Sequence, residues 1–448
     1  MKSVSKFAFV SILGAVSLFL GCSKCGQSRE GQCASASKTY SPLVGTNAFA
    51  VVISDYGKTF GDPLLRAFND LAEKKSKEIG EAVKAKSPEK LPDKLEKYSR
   101  MSQDDAIRHF YGVDPSDMKW CVGALEKFDL AAAAEGFPTN IVAPHLYAVI
   151  HSARPLDLDK IVAAYSEFFQ AVCESSPEAS NAVAQATEEY AKCVSCERVE
   201  IDGTPAYRLT VKDPDSGETV NGVAPLATTI CNGKLLVAAI SDDTLAHVKA
   251  IYGGTEPSAS ADSAVGRELA IPNNVLFRVA ITGLDEFAAA LKKLNCDDDE
   301  DDEDGEDANN DDGPAPEDIS CARFDVGFDA DKTNLFIRAA ADFIEADEAA
   351  KLAKEAQEGI TGSMALVQMM LGMKPELAFA GQILQTLQVA NSGKTLAAGI
   401  SIPYSAIEGI DSRKLAETII EAQKSTPTLP INLPGGGNDD VKDDVFDE

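Results

Sequence analysis

The sequence predicts an α+β protein of two tandem modules, each an antiparallel sheet with helices packed on one face. Three observations predict it. Short apolar runs followed by a helix that opens on Asp or Pro recur four times. Three pairs of β-prone runs are joined by hairpin-type turns. A stretch rich in Ser, Ala and Pro at 255–272 separates the two sets. The composition is that of a folded chain, with 448 residues, 44% hydrophobic and 25% charged. It excludes a disordered, collagen-like or polytopic membrane protein.

In chain order, Asn47–Ser54 reads as a strand. It leads to a helix opened by Asp62-Pro63, with Leu64, Leu65, Phe68, Leu71 and Ala72 on one face. His145–Ser152 leads through Pro155-Leu156-Asp157 into a helix that turns Leu158, Ile161, Val162, Tyr165 and Phe169 inward. Cys196–Ile201 and Pro205–Val211 flank Asp202-Gly203, and Leu226–Cys231 and Lys234–Ile240 flank Asn232-Gly233, two hairpins whose turn residues tolerate positive φ. A helix opens at Ser241-Asp242-Asp243. Asn274–Thr282 then leads to a helix at Leu284–Leu294, and Ala322–Phe328 and Asn334–Ala340 form a third hairpin. Two helices follow, Asp347–Gln357 and Gly362–Leu371, then a strand at Ile383–Ala390 and a last unit, Leu396–Ile402 into Tyr404–Ile410. Module one is thus 42–254, a linker 255–269, and module two 270–424. Residues 425–448 are an extended acidic tail.

The N-terminus carries an address. Lys2 and Lys6 precede a 14-residue apolar run, Phe7–Leu20, closed by Gly21-Cys22. The run is too short to span a bilayer but suits the apolar region of an export signal, residues 1–21. Phe19-Leu20-Gly21-Cys22 resembles a bacterial lipoprotein processing site, which implies lipidation of Cys22. Each buried lipid methylene contributes about 0.8 kcal/mol, so two or three chains would hold the protein on a membrane. Residues 22–41 are small and polar, as a tether requires.

The stretches Tyr111-Gly112-Val113-Asp114-Pro115, Arg154-Pro155-Leu156-Asp157, Gly233–Ala239 and Phe324–Ala350 resemble, in pattern, a broad group of uncharacterised exported bacterial lipoproteins with tandem α+β modules. The resemblance implies a two-module α+β fold outside the cytoplasm. It brings no activity and no site residues.

Ten cysteines in an exported chain invite disulfides. Cys296 and Cys321 bracket an acidic insertion, and closing a loop of that length contributes about 3 kcal/mol. Cys25 with Cys33, and Cys173 with Cys193 or Cys196, are the other candidate pairs, while Cys121 and Cys231 read as strand core. Cys193-Val194-Ser195-Cys196 follows a helix and precedes a strand, the reverse of a redox motif, and no second pair completes a zinc site.

The charge is −29, from 42 basic and 71 acidic residues, which disfavours nucleic-acid partners. The insertion 297–318 has 14 acidic residues and no basic one, and reads as solvated chain. Its run Glu300–Asp311 imitates a calcium loop but opens on Glu and precedes a strand. The four histidines read singly: His145 and His151 bracket one strand on one face, and His109 and His247 each sit on a helix. Gly362–Pro375 is methionine-rich and reads as a core helix.

No metal, cofactor or catalytic constellation is expected. The expected function is binding or envelope organisation by a non-enzymatic lipoprotein on the extracytoplasmic side, with the membrane as partner through its N-terminal lipid. The alternatives are a carrier of a lipid or other hydrophobic ligand beneath the methionine-rich helix, or an envelope hydrolase built from scattered residues.

Overall fold

Local turn chemistry starts most elements where the sequence places them. The computed structural model describes residues 40, 43–86, 97–98, 101–126, 145–174, 194–211, 225–289, 318–372 and 377–425. β1 (Ala48–Ser54) runs into α1 (Tyr56–Gly61), where Asp55 Oδ1 accepts from the Lys58 N–H as the cap. Pro63 then opens α2 (Pro63–Lys86). Ser102 caps α3 (Gln103–Tyr111), its hydroxyl accepting from the Asp105 N–H. β2 (Met118–Glu126), β3 (His145–Ser152) and α4 (Leu158–Glu174) follow.

β4 (Val194–Ile201) and β5 (Thr204–Val211) form the first expected hairpin, and β6 (Leu226–Ile230) and β7 (Leu235–Ala239) the second. In the second turn Cys231, Asn232 and Gly233 take φ of 53°, 56° and 80°, the left-handed path that favours Asn-Gly. Ser241 caps α5 (Asp242–Gly253). The second half continues with α6 (Ala264–Glu268), β8 (Val275–Thr282), β9 (Ile319–Phe328) and β10 (Asn334–Phe343). It ends with α7 (Ala346–Gly372), α8 (Ala378–Leu384), β11 (Gln388–Ser392), β12 (Thr395–Pro403), α9 (Tyr404–Glu408) and α10 (Ser412–Ser425).

The α+β class holds, but the strands form one sheet. All twelve join in the order β11-β12-β10-β9-β8-β1-β2-β3-β7-β6-β5-β4, with every pairing antiparallel. The seam is the β1–β8 ladder, which pairs Val51 with Ala280 and Ile53 with Arg278. Outward from it, β2-β3-β7-β6 on one side mirrors β9-β10-β12-β11 on the other, with β5-β4 added at one edge. A half-turn about an axis normal to the sheet therefore carries one strand order onto the other. In place of the two sheets expected there is this single one; pairing β1 with β8 satisfies backbone groups that two separate sheets would leave at open edges.

The expectation of helices on one face is also corrected. Along β2 and β3, Val122, Val149 and Tyr147 enter one core with Leu245 and Val248 of α5 and with Val265 and Leu269. Their neighbours Cys121 and Ile150 enter another, with Tyr56, Phe60, Ile107, Leu158 and Ile161. Successive strand residues face opposite ways, so the first half of the sheet is covered on both faces. The segment read as a linker is part of that cover. Ala259, Val265 and Leu269 are buried, and a side chain on Gly266 would meet the Ser260 carbonyl oxygen at 1.8 Å.

Two element boundaries differ from expectation. The two helices expected after β10 are one, α7, which lies against β11, β12 and β10. Gly359 and Gly362 inside it cost about 1 kcal/mol each, too little to break a docked helix. The strand expected at Ile383–Ala390 begins only at Gln388, because Ala378–Leu384 continues as helix and closes with Thr386 N–H to Ile383 O at 3.0 Å.

Candidate functional site

β2 ends and β3 begins with a polar residue, and the register places these two, Glu126 and His145, directly opposite one another. Both lie on the face covered by α5, whose second turn carries His247. The His247 ring lies 4.3 Å from that of His145, centroid to centroid, tilted by 34°. Past the end of α5 the chain brings Glu256 to His247 Nδ1, 2.5 Å from its Oε2. On the opposite side, His247 Nε2 is 2.9 Å from Glu126 Oε2. These residues, with Thr46, Asn47 and Asp243, line a cleft of about 480 Å³.

Glu126 is 1% exposed. Burying a carboxylate is tolerable only where donors replace its water. Its Oε1 accepts from the Tyr147 hydroxyl at 2.6 Å and from the Gly45 N–H at 2.9 Å. Burial, with the charge of Glu126 beside it, holds the Tyr147 hydroxyl well above the usual phenol range, so it stays a donor. Gly45 is required by close approach: a Cβ there would lie 2.4 Å from Glu126 Oε2. Ala259 N–H to Val44 O, at 2.7 Å, pins this N-terminal strap to the body.

A second cluster, Glu268, Cys321 and Asp342, also brings three donor atoms within 4.8 Å of one another. Its carboxylates are already engaged. Arg278 and Arg323 each lie 3.2 Å from Glu268, and Arg323 lies 2.7 Å from Asp342. Burial, with Glu268 and Asp342 nearby, pushes the Cys321 thiol up to about 12. A neutral thiol among paired carboxylates makes an ionic core and a poor metal cage. The groove between α2 and α3 holds side chains of both signs that pair across it, such as Arg66 with Asp104 at 3.3 Å.

No family model, curated protein or solved structure matches this chain. Among the described residues, no helix is long and apolar enough to cross a membrane.

The histidines read singly divide in two. His145 and His247 meet at the cleft. His151 sits at the other end of β3, roughly 20 Å from His145 by strand rise, with its ring 5.1 Å from that of Trp120. His109 packs its ring 5.7 Å from Tyr98 and 4.9 Å from Phe110.

Cys22, Cys25, Cys33, Cys193 and Cys296 lie outside the described residues, as do the Cys173 side chain, most of the acidic insertion and the methionine side chains beyond Met364. Cys196 and Cys321 are free thiols, against the pairing expected for each: Cys321 is enclosed in the ionic core, and Cys196 is exposed on edge strand β4. Cys121 is a free, buried thiol, as a strand-core residue should be. Cys231 differs from expectation, being disulfide-bonded and placed in a turn.

Burial pushes the Cys121 thiol up to about 12 as well. Alkylation of the native protein near pH 8 is therefore expected to mark Cys196 well before Cys121 or Cys321, since the thiolate is the nucleophile. Peptide mass mapping reads the order, and early labelling of Cys121 contradicts it.

Proposed function

We propose that this chain is an extracytoplasmic lipoprotein, held on a membrane through Cys22, whose cleft between β2, β3 and α5 captures a small cation. One observation carries the reading. Three carboxylates, Glu126, Asp243 and Glu256, converge on one cleft, and Glu126 is fully withdrawn from water. An acid kept buried at the wall of a cleft leaves its charge weakly screened and available to an entering cation. The export signal and Cys22 supply the anchor in this reading.

The test uses the full chain in detergent, as wild type and Glu126→Gln, in thermal melts against divalent metals and linear polyamines. At least one cation is expected to raise the wild-type melting temperature and leave the variant unmoved. A wild type indifferent to every cation removes the cleft's role. Cys22→Ala should move the protein from the membrane pellet to the soluble fraction; unchanged pelleting removes the anchor.

A further inference from the structure

We propose that the cation is a late first-row divalent metal of the zinc class. It is held by Glu126 Oε2, His247 Nε2 and a ring nitrogen of His145, with Glu256 orienting His247 from behind. The inference rests on the cation-binding reading above and names the ligand of that site.

The donor set is selective. Calcium and magnesium take oxygen ligands, whereas two imidazoles and one carboxylate suit zinc and its neighbours. The three donor atoms lie within 4.8 Å of one another. Two ligands on one metal at bonds of about 2.1 Å stand roughly 3.0–3.4 Å apart. The 2.9 Å between Glu126 Oε2 and His247 Nε2 is close to that edge.

Carboxylates face both ring nitrogens of His247, and an ionised carboxylate only accepts. Between Nε2 and Glu126 Oε2 the geometry admits either a proton or a metal ion. Exchanging one for the other leaves the Nδ1–H to Glu256 in place, and that carboxylate–histidine–metal chain is how metal-binding imidazoles are commonly oriented. The other oxygen of Glu126 is already fixed by Tyr147 and Gly45, so Oε2 alone is left to ligate.

The ligands come from the end of β2, the start of β3 and the middle of α5. Rigid elements thus preset the triangle before any ion arrives. The site opens on the cleft, which leaves a coordination position for water or a further ligand.

The experiment strips the detergent-solubilised full chain with a chelator and titrates it with zinc, cobalt(II), calcium and magnesium. One tight equivalent of zinc is expected, and cobalt should give a visible d–d spectrum without a thiolate charge-transfer band. His145→Gln and His247→Gln should each weaken zinc binding at least about 100-fold, and Glu256→Gln about 10- to 100-fold. Melting curves without metal check that each variant folds; should His247→Gln fail to fold, Glu256→Gln carries the test.

Zinc affinity unchanged in every folded variant, or a thiolate band with cobalt, places the metal elsewhere and overturns the inference. Stabilisation by a polyamine that depends on Glu126, with no tight zinc, overturns the metal and leaves the cation reading standing. Indifference to every cation overturns both.

Discussion

Asp325→Ala is expected to lower the stability of the fold by about 3–5 kcal/mol, read from urea unfolding near pH 7. Asp325 is 1% exposed and Arg278 6%. They stand opposite one another on β9 and β8, with Arg278 Nε and Nη2 donating to the two carboxylate oxygens at 2.7 and 3.0 Å. From the other side Arg338 on β10 donates at 2.8 Å. Burial alone would push the Asp325 carboxyl up, but the hydrogen bonds and charges of the two arginines outweigh it and hold the group below its usual range.

Removing the carboxylate leaves the Arg278 guanidinium enclosed with Glu268, 3.2 Å away, as its remaining acidic partner. The cost is mostly that stranded charge. The double change Arg278→Met with Asp325→Leu should therefore recover most of the loss, because it removes both desolvation penalties together. A single variant within about 1 kcal/mol of wild type, or a double variant worse than the single, contradicts the assignment.

This network was legible in outline. Arg278 interrupts VLFRVAIT, Asp325 (with Arg323 two residues before it) interrupts ARFDVGF and Arg338 interrupts LFIRAAA, so each apolar run holds a charge near its middle. A charge there asks for a buried partner. The hairpins were legible because turn chemistry is local, as at Asn232-Gly233. The fusion of the two halves was not, since β1 and β8 lie more than 200 residues apart and nothing in AFAVVIS names its neighbour.

Coverage of both faces did leave a trace. β2 is buried at almost every position, and its run of apolar residues, Trp120–Leu125, lacks the alternation of a half-exposed strand. The cleft required more than the sequence holds. Glu126 and His145 meet only once the β2–β3 register is known, and His247 joins them only once α5 lies on the sheet. Each residue alone resembles an ordinary polar strand end or helix position.

The two histidines of β3 show how far environment decides, and His151 yields the second large effect. Burial first, then the charges of Lys119 and Lys234, push its imidazole down to about 4, against about 6.5 in the unfolded chain. For a base lowered on folding, the unfolded state binds the proton more readily between these values. Stability is then fully present above pH 6.5 and is lost as pH falls toward 4. The difference corresponds to about 3 kcal/mol.

His151→Gln removes the titrating group while keeping a neutral polar side chain beside Trp120. Carboxylates titrate over the same range, so the informative quantity is the difference between two urea series taken at pH 7 and pH 4. Wild type should lose about 3 kcal/mol more than the variant across that interval, and parallel losses would sink the assignment. Six residues away on the same strand face, His145 meets Glu126 and His247 instead of lysines. One strand thus holds at one end an imidazole kept neutral by burial and two nearby lysines, and at the other an imidazole beside Glu126 and His247.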